Sequence, residues 1–61
     1  MYEKFAELLE KTNKTAYQVS KDTGISTATL SNWKNGIYKP KADKLKILAK
    51  YFGVPIEYFL E

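Results

Sequence analysis

The chain lacks cysteine, histidine and arginine, and these absences exclude several classes of function. Without cysteine it has no disulfide, and without cysteine or histidine it has neither thiolate nor imidazole for a zinc site. The commonest general base is missing too, so we expect no catalytic residue, no metal site and no cofactor. No apolar run is long enough to span a membrane, and the polar start is not a secretory signal. These features predict a cytoplasmic protein that is not an enzyme.

The 61 residues predict a single domain, 1–61, with an all-α fold. Apolar residues recur at helical spacing in the first segment, at Tyr2, Phe5, Ala6 and Leu9. We predict no strand. The five predicted helices cover residues 2–11, 16–23, 27–35, 42–52 and a short segment that begins at Pro55.

Residues 15–36 have the pattern of two short helices hinged at a glycine. Thr15 and Gln18 form a capping-box pair that predicts the start of the first of these helices. Gly24 ends that helix, and Ser26 can cap the next. Two helices joined in this way form a helix-turn-helix, in which the second helix can lie in the DNA major groove. Leu30 and Trp33 are predicted to point inward from this second helix.

Positive charge is concentrated around the helix-turn-helix segment. Residues 14–50 hold eight lysines and two aspartates, a balance of +6, whereas the two ends of the chain are net acidic. A basic surface on a small domain is typical of a protein that binds a polyanion, although a solvated lysine-rich surface remains the alternative. Each of these lysines would bind phosphate as a point charge.

The pattern resembles the lambda-repressor-like domains of the Cro/CI and Xre type over nearly the whole chain. The resemblance is carried by Ala16, Ser20, Gly24, Ile25, Leu30 and Trp33 in the hinge and its two helices, by Asn35-Gly36 and Pro40, and by a second half with Leu45, Ala49 and Gly53-Val54. It implies a compact five-helix bundle that regulates transcription by binding double-stranded DNA. It also implies a repressor from a bacterial cell or an infecting phage. In many relatives a glutamine that binds phosphate stands at the position of Ala16.

The resemblance assigns two sets of DNA contacts to this chain. The side chains assigned to base edges are small, and all but Ala28 are polar, which suits direct readout of bases. They are Ser26, Thr27, Ala28, Ser31 and Asn32. The residues assigned to phosphates flank them, at the start of the first hinge helix and from the end of the second onward. These are Thr15, Ala16, Tyr17, Gln18, Lys34, Asn35, Tyr38, Lys39 and Lys41. A simple soluble helix surface is the alternative for both sets.

Relatives pair as two-fold dimers, so the sequence predicts a homodimer on an operator with two half-sites. The candidate dimer interface is Ile56, Tyr58 and Phe59, although Ile56 and Phe59 are equally expected to close the core. Two other functions remain open: a helical protein-interaction module, or an antitoxin-type regulator with the same fold. Residues 31–34 also match the S-x-x-K motif of some acylated enzymes, but this chain is too small for the rest of that machinery. No small-molecule ligand is indicated.

Overall fold

The computed structural model describes residues 1–60, and within them it contains five helices and no strand. The predicted all-α, five-helix fold is confirmed. The helix bounds differ from the predicted ones by one or two residues at three of the ends. In chain order the helices are α1 (Tyr2–Thr12), α2 (Ala16–Thr23), α3 (Thr27–Lys34), α4 (Ala42–Phe52) and α5 (Glu57–Leu60).

The inward face of α1 is centred on Phe5, which the sequence pattern included, and on Leu8, which it did not. Phe5 is completely buried and Leu8 is 6% exposed, whereas Tyr2, Ala6 and Leu9 are half-buried. Leu8 lies one turn after Phe5, so both side chains point to the same side of the helix. The predicted stripe was therefore right in position but omitted one of its two core residues.

Local sequence sets the ends of α2 and α3. The Thr15 side chain accepts a hydrogen bond from the Gln18 N–H at 3.1 Å, and the Ser26 side chain accepts one from the Thr29 N–H at 3.0 Å. Gly24 has a φ of 81°, the left-handed conformation that the turn between the helices requires. The capping box is only half formed, because the Gln18 side chain donates its amide N–H to Asp22 and does not accept a hydrogen bond from the Thr15 backbone N–H.

The core joins α3 to both ends of the chain through aromatic rings. The Trp33 ring lies 5.2 Å from that of Phe5 and 6.5 Å from that of Phe59, centroid to centroid. Leu30, Leu45 and Leu48 are also buried. Because Trp33 is 4% exposed, it anchors the inner face of α3, so the opposite face of that helix is left to solvent.

Phe59 has to be removed from the predicted dimer interface. Its side chain is 1% exposed and packs in the core, so it cannot contact a second copy. The alternative, that it closes the core, is the one the structure supports. Ile56 and Tyr58 are half-buried, and the neighbouring Leu60 is 63% exposed.

Candidate nucleic-acid interface

All five residues assigned to base edges lie on the solvent-facing side of α3 or at its cap. Ser26, Thr27, Ala28, Ser31 and Asn32 are exposed, while Leu30 and Trp33 on the opposite side are buried. The helix is eight residues long, so these side chains fit within about two turns. The structure therefore brings the predicted set together on one accessible surface.

Ser26 has a structural role that constrains any contact it makes with a base. Its hydroxyl caps α3, and its Oγ lies 2.8 Å from the Thr29 Oγ1, within hydrogen-bond distance. One of its lone pairs is thus occupied by the Thr29 N–H. Thr29, which is half-buried, was not singled out by sequence reasoning. Its position three residues after a serine was the available signal.

The residues assigned to phosphates at the C-terminal end of α3 begin with Lys34, its last residue, and continue into the loop that follows. Lys34, Asn35, Lys39 and Lys41 are exposed, and Tyr38 is half-buried. A cleft of about 220 Å³ lies between this segment and the start of α1, with Tyr38, Lys34 and Lys39 in its lining. The cleft thus borders the same basic surface.

The assigned residues at the start of α2 form a second accessible group. Thr15, Tyr17 and Gln18 are exposed, Tyr17 to 69%, and Ala16 is half-buried. The unpaired N–H groups of a helix N-terminus attract anions through the helix dipole. The four assigned side chains are uncharged, so at these positions the backbone N–H groups are the main hydrogen-bond donors to an anion.

A polar contact between α2 and α4, which sequence reasoning missed, holds the helix-turn-helix against the rest of the domain. The Tyr51 hydroxyl donates to the Asp22 carboxylate, which also accepts from the Gln18 amide at 3.2 Å. The Lys14 ammonium lies 5.4 Å from the centre of the Tyr51 ring. The Tyr51 hydrogen bond, with the smaller contribution of Gln18, lowers the pKa of Asp22. The same bond raises the pKa of Tyr51.

The lysines are left free of carboxylate partners within the described part of the chain. Among residues 1–60 the only ion pair joins the amino terminus to Glu3, at 2.8 Å. Lysine ammonium groups at a surface interact with phosphate without first breaking an internal pair. The basic segment between Lys14 and Lys50 therefore carries its positive charge without a salt bridge to any carboxylate of residues 1–60.

The comparison with family models decides which family this architecture represents. A helix-turn-helix model, HTH_3, matches residues 5–59. The chain belongs to this family, of Cro/CI and Xre type. The HTH_3 match supports a DNA-binding helix-turn-helix regulator. Comparisons with curated proteins and with solved structures give no match. Over residues 1–60 no helix combines the length and apolarity needed to cross a bilayer.

Proposed function

We propose that this chain is a sequence-specific regulator that binds double-stranded DNA by placing α3 in the major groove. The observation that carries the proposal is the division of α3 into two faces. One face is held in the core by Leu30 and Trp33, and the other presents small polar side chains to solvent. A helix anchored in this way is a rigid reading surface, which direct readout of bases requires.

Asn32 is the residue that we assign to the most specific base contact. Its side-chain amide can bond both N6 and N7 of adenine, and such a bidentate pair discriminates by about 1–3 kcal/mol. The Thr27 and Ala28 methyl groups can contact a thymine methyl, and the Ser31 hydroxyl can bond several base edges. Ser26 has a smaller part, because its hydroxyl already caps the helix.

Phosphate contacts on both sides of the groove would fix the register of α3. On one side lie the N–H groups around Ala16 at the start of α2. On the other lie the exposed Lys34, Lys39 and Lys41, with Asn35 and Tyr38 beside them. These contacts carry no sequence information, but they determine which bases the α3 side chains reach.

We further infer that two copies bind a two-fold symmetric operator and repress transcription. One small domain buries too little surface for tight binding, and pairing doubles the number of contacts. Ile56 and Tyr58 supply the apolar surface of the pair. A bacterial cell or its phage is the context in which such a regulator excludes polymerase from a promoter, and the cytoplasm is its compartment.

Selection from a random duplex pool, followed by sequencing of the bound fraction, tests the proposal. We expect a two-fold symmetric consensus. The Asn32→Ala variant should lose preference at one position of each half-site. Asn35→Ala, a change of the same residue type just beyond α3, should weaken binding evenly on all sequences. Retention without enrichment, or no retention, would contradict sequence-specific readout and favour a protein-interaction module.

A further inference from the structure

The end of α3 holds an apolar residue in a fixed position. The Gly36 N–H donates to the Trp33 carbonyl at 3.1 Å, and the Ile37 N–H donates to the Asn32 carbonyl at 2.9 Å. With the φ of 76° at Gly36, these two bonds form a Schellman motif. The backbone of Ile37 is therefore hydrogen-bonded directly to the backbone of Asn32, the residue assigned to the most specific base contact.

Ile37 lacks the packing partner that this motif usually provides. In a Schellman motif the residue after the glycine commonly makes a hydrophobic contact with a side chain in the preceding turn. Here the corresponding residues are Asn32 and Ser31, which are polar and exposed. Ile37 is left 74% exposed, more than any other large hydrophobic side chain of residues 1–60.

The charges around Ile37 indicate which kind of molecule covers it. Lys34, Lys39 and Lys41 are all exposed nearby in the chain, and none forms an ion pair with a carboxylate of residues 1–60. A second copy docked here about a two-fold axis would bring the same lysines together and be repelled. A polyanion that also offers apolar carbon fits both the charge and the isoleucine, and the DNA backbone has this chemistry.

We propose that Ile37 packs on deoxyribose carbons of the DNA backbone, beside phosphates bound by its lysine neighbours. The proposal rests on the proposed function, since it requires α3 in the major groove. Recognition helices contact bases mainly through their N-terminal residues, and Ile37 lies beyond the opposite end. The contact is therefore with sugar rather than base, so it is neither ionic nor dependent on sequence.

Salt titrations of DNA binding separate this contact from the others. The probes are the duplex selected from the random pool and an unrelated duplex of equal length. Ile37→Ala should weaken binding to both about five- to tenfold, with an unchanged slope of log affinity against log salt. Lys39→Ala should reduce the slope by about 0.9, the share of one phosphate contact. The matched control Ile47→Ala, on α4, should behave as wild type.

Three outcomes overturn the proposal. Ile37→Ala could bind DNA as tightly as Ile47→Ala, or it could change the slope of log affinity against log salt. It could also lose affinity only for duplexes with thymine at one position. Thermal unfolding verifies that each variant is folded, and Ile37→Leu should restore most of the affinity. Failure of the proposed function is seen separately, because wild type would then bind the two duplexes equally. Binding to neither duplex would overturn both proposals.

Discussion

Ser26 caps α3 and, in the proposed function, also faces the DNA. Its Oγ accepts a hydrogen bond from the Thr29 N–H. Ser26→Ala removes this bond and should lower the free energy of unfolding by about 1 kcal/mol. Thr27→Ala, an exposed substitution next to the cap, should change stability by less than about 0.5 kcal/mol. Urea denaturation followed by circular dichroism measures both variants. Equal losses would show that the cap does not set the start of α3.

A second substitution separates the two roles of Ser26. Asp is also a good N-cap, so Ser26→Asp should retain the stability of the wild type. Its negative charge would face the DNA, and we expect weaker binding than for Ser26→Ala. If Ser26→Asp binds DNA as tightly as the wild type, position 26 lies outside the interface.

At the scale of the elements, the Asp22–Tyr51 hydrogen bond predicts a defined pH dependence. The pKa of Asp22 is lowered from 3.8, so this carboxylate contributes stability above pH 3.8 and loses the contribution as pH falls through its lowered pKa. The pKa of Tyr51 is raised from 10.0, so its contribution is present below pH 10.0 and is lost as pH rises through its raised pKa. The Asp22–Tyr51 hydrogen bond therefore makes its full contribution to stability within a pH window from 3.8 to 10.0.

Tyr51→Phe tests this window. The variant should be less stable than wild type at neutral pH, and the difference should shrink at both the acidic and the alkaline end. Urea denaturation of the two proteins across the pH range measures the difference directly. A Tyr58→Phe control, which removes the 3.2 Å bond to Glu7 instead, should leave the contribution of Asp22 on the acidic side intact. A pH-independent difference between wild type and Tyr51→Phe would assign the effect of Tyr51 to packing.

The elements that sequence reasoning predicted best are those set by neighbouring residues. The caps at Thr15 and Ser26 and the turn at Gly24 depend on residues within one helical turn, so they can be predicted from the local sequence. The contact between Asp22 and Tyr51 joins positions 29 residues apart, and only packing of α2 against α4 creates it. No local pattern contains that information.

The candidate site likewise combines features set by neighbouring residues with features set by packing between distant parts of the chain. Helical spacing separates the buried and exposed faces of α3, so the exposed group could be predicted as a set. Whether Phe59 faces a partner or the core depends on how the short α5 closes over α1, and both outcomes suit its sequence. The exposure of Ile37 follows from the geometry of the helix end together with the polar side chains of Ser31 and Asn32, and no local pattern in the sequence pointed to it.

For the whole molecule, the aromatic core determines whether the domain folds at all. Phe5 is fully buried, with its ring 5.6 Å from Tyr2 and 6.0 Å from Phe52. Phe5→Ala should cost about 3–5 kcal/mol, comparable to the whole stability of a domain this small. Circular dichroism should therefore show a largely unfolded variant at room temperature, whereas Phe5→Leu should remain folded. A cooperative Phe5→Ala transition at the wild-type temperature would contradict this account of the core.

The proposed dimer is a property of the whole assembly, and the exposed end of α5 allows a test that spares the core. Leu60 lies beside Ile56 and Tyr58 and is 63% exposed, so Leu60→Lys should leave the fold unchanged. If α5 joins the copies, this variant should bind a single half-site as wild type does and lose at least about tenfold in affinity on the full operator. Ile47→Lys, an equally polar change on the outer face of α4, should retain both affinities. Equal losses on half-site and full site would show that Leu60 acts on the fold or on DNA directly. Unchanged binding to both sites would place the contact between copies elsewhere on the molecule.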